Sequence, residues 1–295
     1  MGKLQYFLQS AGRWLTRTRM QCPSCGSSKR KVVDRKYVVT TLNRCLDCRL
    51  LFRAPTTPEV ESIESYQSEY AQGFTTDCPK PEELQKLKEK NFRGCNGDFS
   101  NIIRILRGLK VPDGAKVYDF GCSWGYGTCQ LARAGFAVDS FEISKPRASY
   151  AAQFLDAKLV TPEAAQPGSY DVFLSSHVIE HVPSVAAMID TAMRLLKPGG
   201  LMVTFTPNGS DELRRREPVG WHMMWGNVHP QLVDEDYLLK RFTSENLLIG
   251  PSTLDEEQLS KFGTERAIVH PNHNFELFAV VQKPRSNEPI PVPSH

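Results

Sequence analysis

Three groups of residues combine side chains and spacings suited to chemistry. Cys22, Cys25, Cys45 and Cys48 form two C-x-x-C pairs separated by 19 residues. Zinc takes four thiolates in a tetrahedron, and two such knuckles on facing turns deliver them. The set therefore predicts a closed, structural zinc site, with a redox pair or scattered core cysteines as the competing reading. The second group is the stretch Gly121, Cys122, Ser123, Gly125, Tyr126 and Gly127, preceded by Asp119 and followed by Glu142 and Ile143. Glycines let a backbone approach a ligand closely, and the start of a following helix offers free N–H groups to it. An acid 23 positions after the first stands where the end of a second strand can grip ribose hydroxyls. The third group is Ser176, His177, Glu180 and His181, joined from afar by His229. Imidazoles and a carboxylate there offer a general base or a ligand set for a divalent ion.

The elements needed to hold these residues are readable around them. An apolar run ends at Asp119, a helix follows over Thr128 to Ala134, and a second apolar run ends at Glu142. A buried strand over Ser169 to Ser176, a helix over Ala186 to Leu196, and the turn Lys197-Pro198-Gly199-Gly200 opening a strand over Leu201 to Thr206 come next. The glycines at 121, 125 and 127 do not fit the G-x-G-x-x-G spacing of a dinucleotide site.

With these motifs the chain resembles the class I S-adenosylmethionine-dependent methyltransferases over residues 115 to 206. Asp119, Gly121, Cys122, Gly125 and Glu142 match that family's first motif and its following acid, with Ser123 in place of the middle glycine. Asp171, Val172, Val178, Glu180 and His181 match its fourth motif, and Leu196 to Gly200 matches its L-K-P-G-G turn. The resemblance implies an α/β, Rossmann-like, doubly wound sheet of seven strands whose last strand is antiparallel, here preceded by a small zinc ribbon. It implies S-adenosylmethionine as cofactor, cradled by Asp119, Gly121, Cys122, Ser123, Gly125, Tyr126, Gly127, Glu142, Ile143, Ser176 and His177. Methyl transfer is an in-line displacement, so the protein chiefly aligns the nucleophile, and a base matters when the acceptor must lose a proton.

Two chemical readings of the histidine cluster stay open. His181 or His229 acts as base toward a hydroxyl while Glu180 orients, or Glu180, His181 and His229 hold a divalent ion that polarises the acceptor oxygen. His177 stands where related metal-binding motifs have an acid, which weighs against a magnesium-type site. A plain role of Glu180 and His181 in capping the next helix competes with both.

Charge divides the chain. Residues 1–53 carry 12 Lys and Arg against two acids, while the other residues carry 24 against 31. A basic front end on an acidic body predicts an anionic partner or a membrane surface at the N-terminus. The expected organisation is a basic amphipathic helix over 1–20, a ribbon over 21–54, a linker and helical region over 55–110, a catalytic domain over 111–284 and a disordered tail over 285–295. Leu4, Phe7, Leu8, Ala11, Trp14 and Leu15 share one face of the first helix, which suits docking onto the ribbon or lying on a membrane. Tyr66 and Tyr70 could fold over the cofactor or simply pack. No apolar run reaches membrane-spanning length, so a cytoplasmic protein, peripheral to a membrane at most, is expected. A ribbon ahead of such a core resembles bacterial methyltransferases of glycan and polysaccharide biosynthesis, which implies O-methylation of a sugar or glycan-linked small-molecule acceptor. RNA is the second substrate class, and a non-catalytic cofactor-binding scaffold the alternative outside catalysis.

Overall fold

The computed structural model describes residues 3–61 and 77–285. Tyr66, Tyr70 and the tail beyond 285 lie outside the described residues. Seven strands form the main sheet: β4 (Lys116–Phe120), β5 (Ala137–Phe141), β6 (Tyr170–Ser176), β7 (Leu196–Pro207), β9 (Asn246–Gly250), β10 (Ala267–Val269) and β11 (Glu276–Gln282). Their order is β10-β9-β11-β7-β6-β4-β5. All neighbours are parallel except β11, which runs antiparallel to both β7 and β9. This is the Rossmann-like sheet with an antiparallel last strand expected from the sequence.

The strands form where apolar runs can be buried on both faces. Val172, Phe173 and Leu174 of β6 are fully buried, and so are Val117 and Tyr118 of β4. One apolar layer gathers Ile189, Ala192, Leu195 and Tyr237, and the other gathers Ile105, Leu106, Leu131 and Leu259. The sheet is thus covered by helices on both sides. The cofactor-type loop and the histidine cluster both lie at the carboxyl ends of β4, β5 and β6, beside the point where the strand order reverses, the usual crevice for ligands in such sheets.

A second sheet of β1 (Arg30–Lys36), β2 (Thr40–Cys45), β3 (Leu51–Ala54) and β8 (Gln231–Leu232), in that order, holds the cysteine-bearing segment. The run over Lys31 to Thr40 turns back at Tyr37 and Val38, both in the left-handed region, and so forms a hairpin between β1 and β2. The fourth strand, β8 (Gln231–Leu232), comes from the far part of the chain and pairs antiparallel with β3. Cys22, Cys45, Leu50 and Phe52 share an apolar core with Val233, Tyr237, Leu238 and Phe242. The ribbon is therefore packed into the body of the protein.

The first helix spans Lys3–Leu15. Ser10 is buried, while Leu8 and Leu15 remain exposed. Among the described residues no helix is long and apolar enough to cross a membrane.

Candidate functional site

The four predicted cysteine ligands converge. One sulfur from each lies within 4.8 Å of the others, and the Cys22–Cys48 and Cys25–Cys45 pairs are each 3.5 Å apart. Four sulfurs at about 2.3 Å from one zinc ion stand roughly 3.8 Å from each other in a tetrahedron. The set thus fits zinc with no position left open. In the ion-free thiol cluster burial pushes Cys25 up to about 11, whereas a hydrogen bond from Cys22 draws Cys48 down to about 5.

The loop after β4 is built around close approaches. Gly121 has φ +86°, and a Cβ there would meet Val178 Cγ2 at 2.4 Å. Gly125 has φ +89° and would meet Ala151 Cβ at 2.9 Å, while a Cβ on Gly127 would reach Phe99 at 2.3 Å. These two glycines let the helix Tyr126–Arg133 pack tightly rather than face a ligand. Ser123, the departure from the family motif, itself takes φ +54°, the left-handed region that glycine adopts freely. Its N–H donates to Glu142 Oε2 at 2.9 Å, and its hydroxyl accepts from Arg147, a buried side chain. The loop is therefore held in shape by side-chain contacts where a glycine would need none.

Two acids frame that loop. Burial pushes Asp119 up to about 6, against the Thr128 hydroxyl that donates to it at 2.7 Å. Glu142 accepts from Ser123 N and, at 2.8 Å, from Ser144 N; burial still holds it above the ordinary carboxylate range. Cys122 is buried and its thiol is raised by that burial, so it fills space. Tyr126 packs edge-on against Phe99 with centroids 5.6 Å apart. Ile143 and Ser176 sit half-buried at the ends of β5 and β6. The buried Trp124 Nε1 and Ser144 Oγ have no hydrogen-bond partner. Left-handed loop backbone, unpartnered donors and a carboxylate at the second strand's end fit a ligand bearing ribose hydroxyls.

The structure divides the histidine cluster. His177, in the left-handed region, pairs through Nε2 with Glu276 Oε2 on β11 at 2.8 Å and keeps its Nδ1 3.5 Å from Glu180 Oε1. Burial works against its charge, but Glu180 and Glu276 outweigh that and raise it to about 10. His181 and His229 face each other with ring centroids 4.6 Å apart. Each Nδ1 contacts a carbonyl oxygen: His181 with Val228 at 2.8 Å and His229 with Met224 at 2.6 Å. A carbonyl only accepts, so Nδ1 carries the proton and Nε2 the lone pair in each neutral ring. Burial lowers His181, with the nearby Glu180 opposing.

Glu180 is buried between them. Its Oε2 accepts from Thr206 at 3.1 Å, while Oε1 stands 3.5 Å from His177 Nδ1 and 3.9 Å from His181 Nε2. Burial, which would raise Glu180, is overcome by His177 and the other histidines, so it stays below the ordinary range. One ligand atom from each of Glu180, His181 and His229 lies within 4.8 Å of the others. Sequence reading missed Asp34, Thr128, Arg147, Thr206, Gln231 and Glu276. Thr128, nine positions after Asp119 at a helix start, carried a local signal; the others reach the site only through the fold.

A profile described as a methyltransferase domain matches residues 93–248. A ubiquinone biosynthesis O-methyltransferase of Paramagnetospirillum magneticum is 35% identical over 127 residues, 40% of this chain and 49% of that protein. One from Brucella ovis is 30% identical over 205 residues, 60% of this chain and 80% of that protein. The chain thus spans about half the length of the first relative and four fifths of the second. A TehB-like S-adenosylmethionine-dependent methyltransferase of Corynebacterium glutamicum superimposes with a TM-score of 0.45 at 17% identity, over 68% of this chain and 96% of that one.

Proposed function

Because the chain belongs to the methyltransferase domain family, we propose that it transfers a methyl group from S-adenosylmethionine to a hydroxyl oxygen of a small acceptor. The observation that carries this reading is the pair His181 and His229, tautomer-locked by backbone carbonyls and converging with the buried Glu180 within 4.8 Å. The two relatives named as O-methyltransferases support the choice of oxygen.

Bound S-adenosylmethionine supplies an electrophilic methyl on a sulfonium, a good leaving group. Glu142, with Asp119 supporting the loop through Thr128, would hold its ribose, and the backbone of Gly121 to Gly125 would lie against it. His181 is the base: half-buried and held below the ordinary imidazole range, it is neutral near pH 7 and accepts the proton of an acceptor hydroxyl. Glu180 steadies the imidazolium that forms, and His229 closes the other side. A divalent ion on Glu180, His181 and His229 is the second reading. The convergence of one ligand atom each from Glu180, His181 and His229 within 4.8 Å favours it, although His177 Nδ1 already stands 3.5 Å from Glu180 Oε1.

The sugar or glycan-linked hydroxyl expected from the sequence draws no support from the relatives' names, which point to a quinone pathway. RNA is the weaker class, since Arg44 and Arg49 of the basic front end are engaged by Asp234 and Asp236 of this same chain. The test is methyl transfer from labelled cofactor to a panel of phenols, sugars, nucleotide sugars and RNA. Calorimetry with S-adenosylmethionine and its demethylated product runs beside it, with Mg²⁺, Mn²⁺ or Zn²⁺ added after dialysis. Transfer to a hydroxyl that falls at least 100-fold in His181→Ala supports the reading. Full rates in both His181→Ala and His229→Ala would remove both chemical roles, and cofactor binding with no acceptor would leave a scaffold.

A further inference from the structure

We infer that the zinc ribbon is the device that positions His229 against His181, acting through Asp34 and Gln231. This rests on the reading that the two histidines do the chemistry. His229 lies on the loop between the helix Pro218–Met224 and β8. That loop is tied to the ribbon at both ends. At its start, Asp34 on β1 accepts from His222 Nδ1 at 2.6 Å and from the indole N–H of Trp225 at 2.8 Å, both on the same oxygen. The Lys36 ammonium donates to the Trp225 carbonyl and lies 4.7 Å from the centre of its ring. At its end, Arg53 N donates to Pro230 O at 2.7 Å, and β8 completes the ribbon sheet through Phe52 with Gln231 and Leu51 with Leu232.

Inside the loop little else fixes the ring. Gly226 N donates to His229 O at 3.0 Å, and His229 Nδ1 contacts Met224 O. The loop's Val228 carbonyl in turn receives His181 Nδ1. Gln231 closes the circuit from the other side. Its backbone belongs to the ribbon sheet, while its buried side chain donates to Val182 O, next to His181, and accepts from Val185 N at 3.4 Å. One residue thus links the ribbon, the His229 loop and the His181 turn. A ribbon that merely covered the sheet would need none of these polar links into a loop that carries a reacting group.

Asp34→Ala leaves the Trp225 N–H, on a residue 1% exposed, without an acceptor, and frees the start of the loop. Gln231→Ala cuts the link to the His181 turn while leaving the β3 to β8 backbone pairing possible. Asp34→Asn keeps an oxygen for Trp225 and serves as the conservative rescue. All three are measured in the full chain carrying its zinc, with zinc content followed by atomic absorption. The two alanine variants are expected to lower kcat on the order of 10- to 100-fold, as displaced catalytic groups do. Binding of the demethylated cofactor by calorimetry should stay within about twofold, and Asp34→Asn should recover most of kcat. In ¹⁵N-histidine spectra, which need no acceptor, the ring nitrogens of His229 should shift in both alanine variants. Unchanged His229 signals in folded, zinc-loaded alanine variants overturn the inference, and so does loss of cofactor binding in step with kcat. If the wild-type chain methylates nothing while His229 still shifts, the proposed reaction fails and the positioning stands.

Discussion

Gly121→Ala probes the cofactor loop directly. At φ +86° an alanine pays roughly 1–2 kcal/mol for the left-handed backbone. Its Cβ would also stand 2.4 Å from Val178 Cγ2 and 3.0 Å from Cγ1, and overpacking of this kind costs about 1–3 kcal/mol. The sum, about 2–5 kcal/mol, is relieved in part if the loop shifts. Such a shift separates Ser123 N from Glu142 and so would weaken the proposed hold on the ribose. Urea unfolding of wild type, Gly121→Ala, Val178→Ala and the double variant gives a cycle in which the clash appears as a favourable coupling of roughly 1–3 kcal/mol, since neighbouring sites fail to add. The backbone cost persists in the double variant. Calorimetry with the demethylated cofactor should show weakened binding in Gly121→Ala. Additive losses would refute the contact with Val178, and a single variant that unfolds and binds like wild type would refute the strained loop altogether.

Glu142→Gln places an amide N–H₂ against Ser123 N–H or Ser144 N–H, because both carboxylate oxygens accept from backbone. An unmet donor there costs about 1–3 kcal/mol, so cofactor affinity by calorimetry should fall about tenfold or more. The raised His177, at about 10 against an ordinary 6.5, stabilises the fold fully below pH 6.5, and that stabilisation is lost as pH rises through about 10. With the ring about half exposed, solvent screening reduces it to roughly 1 kcal/mol. Glu276→Gln should therefore lower the urea midpoint at pH 7 and match wild type at pH 10.5; an equal loss at both pH values would contradict the charge pairing. Cys48→Ser should drop bound zinc below one ion per chain, measured by atomic absorption, and abolish methyl transfer while cofactor binding persists. Full zinc content in that variant would show the four-sulfur site to be wrong.

What was legible in the sequence was what the chain makes locally. The loop from Gly121 to Gly127 carries its own backbone demands, and its helix and flanking strands follow within 25 residues, so Asp119 and Glu142 could be placed at strand ends before any coordinates. The Glu180, His181 and His229 set was legible as a list but not as an arrangement. Nothing local states that His177 turns to Glu276 on β11, 99 positions away, or that backbone carbonyls fix both tautomers. β8 was invisible for a plain reason: two residues make no periodic pattern, and Gln231 and Leu232 become a strand only because β3 presents an edge to them. Pairings of such sequence separation are a property of the fold, not of the segment.

The charge asymmetry follows the same logic and changes meaning with the structure. A basic front end predicted an anionic partner, and part of that partner is the chain's own acidic body. Arg44 is buried against Asp234 and lies 3.8 Å from Asp211 and 3.9 Å from Asp236, and Arg49 reaches Asp236 at 2.7 Å. Asp34, one of the front end's two acids, points inward to His222 and Trp225. The buried Arg44 side chain cannot be offered to a phosphate without first exposing Asp234, a buried carboxylate that would lose its partner at a cost of several kcal/mol. An extended phosphate backbone would therefore meet only the cations left at the surface, such as Lys29, Lys31 and Arg35, of which Lys29 is 3.8 Å from Asp47. With Arg44 and Arg49 withheld, nucleic-acid binding should depend on salt less steeply than the full set of front-end cations would give. The charge division thus reads better as the seam that fixes the ribbon to the body, and through it His229, than as a landing surface for RNA.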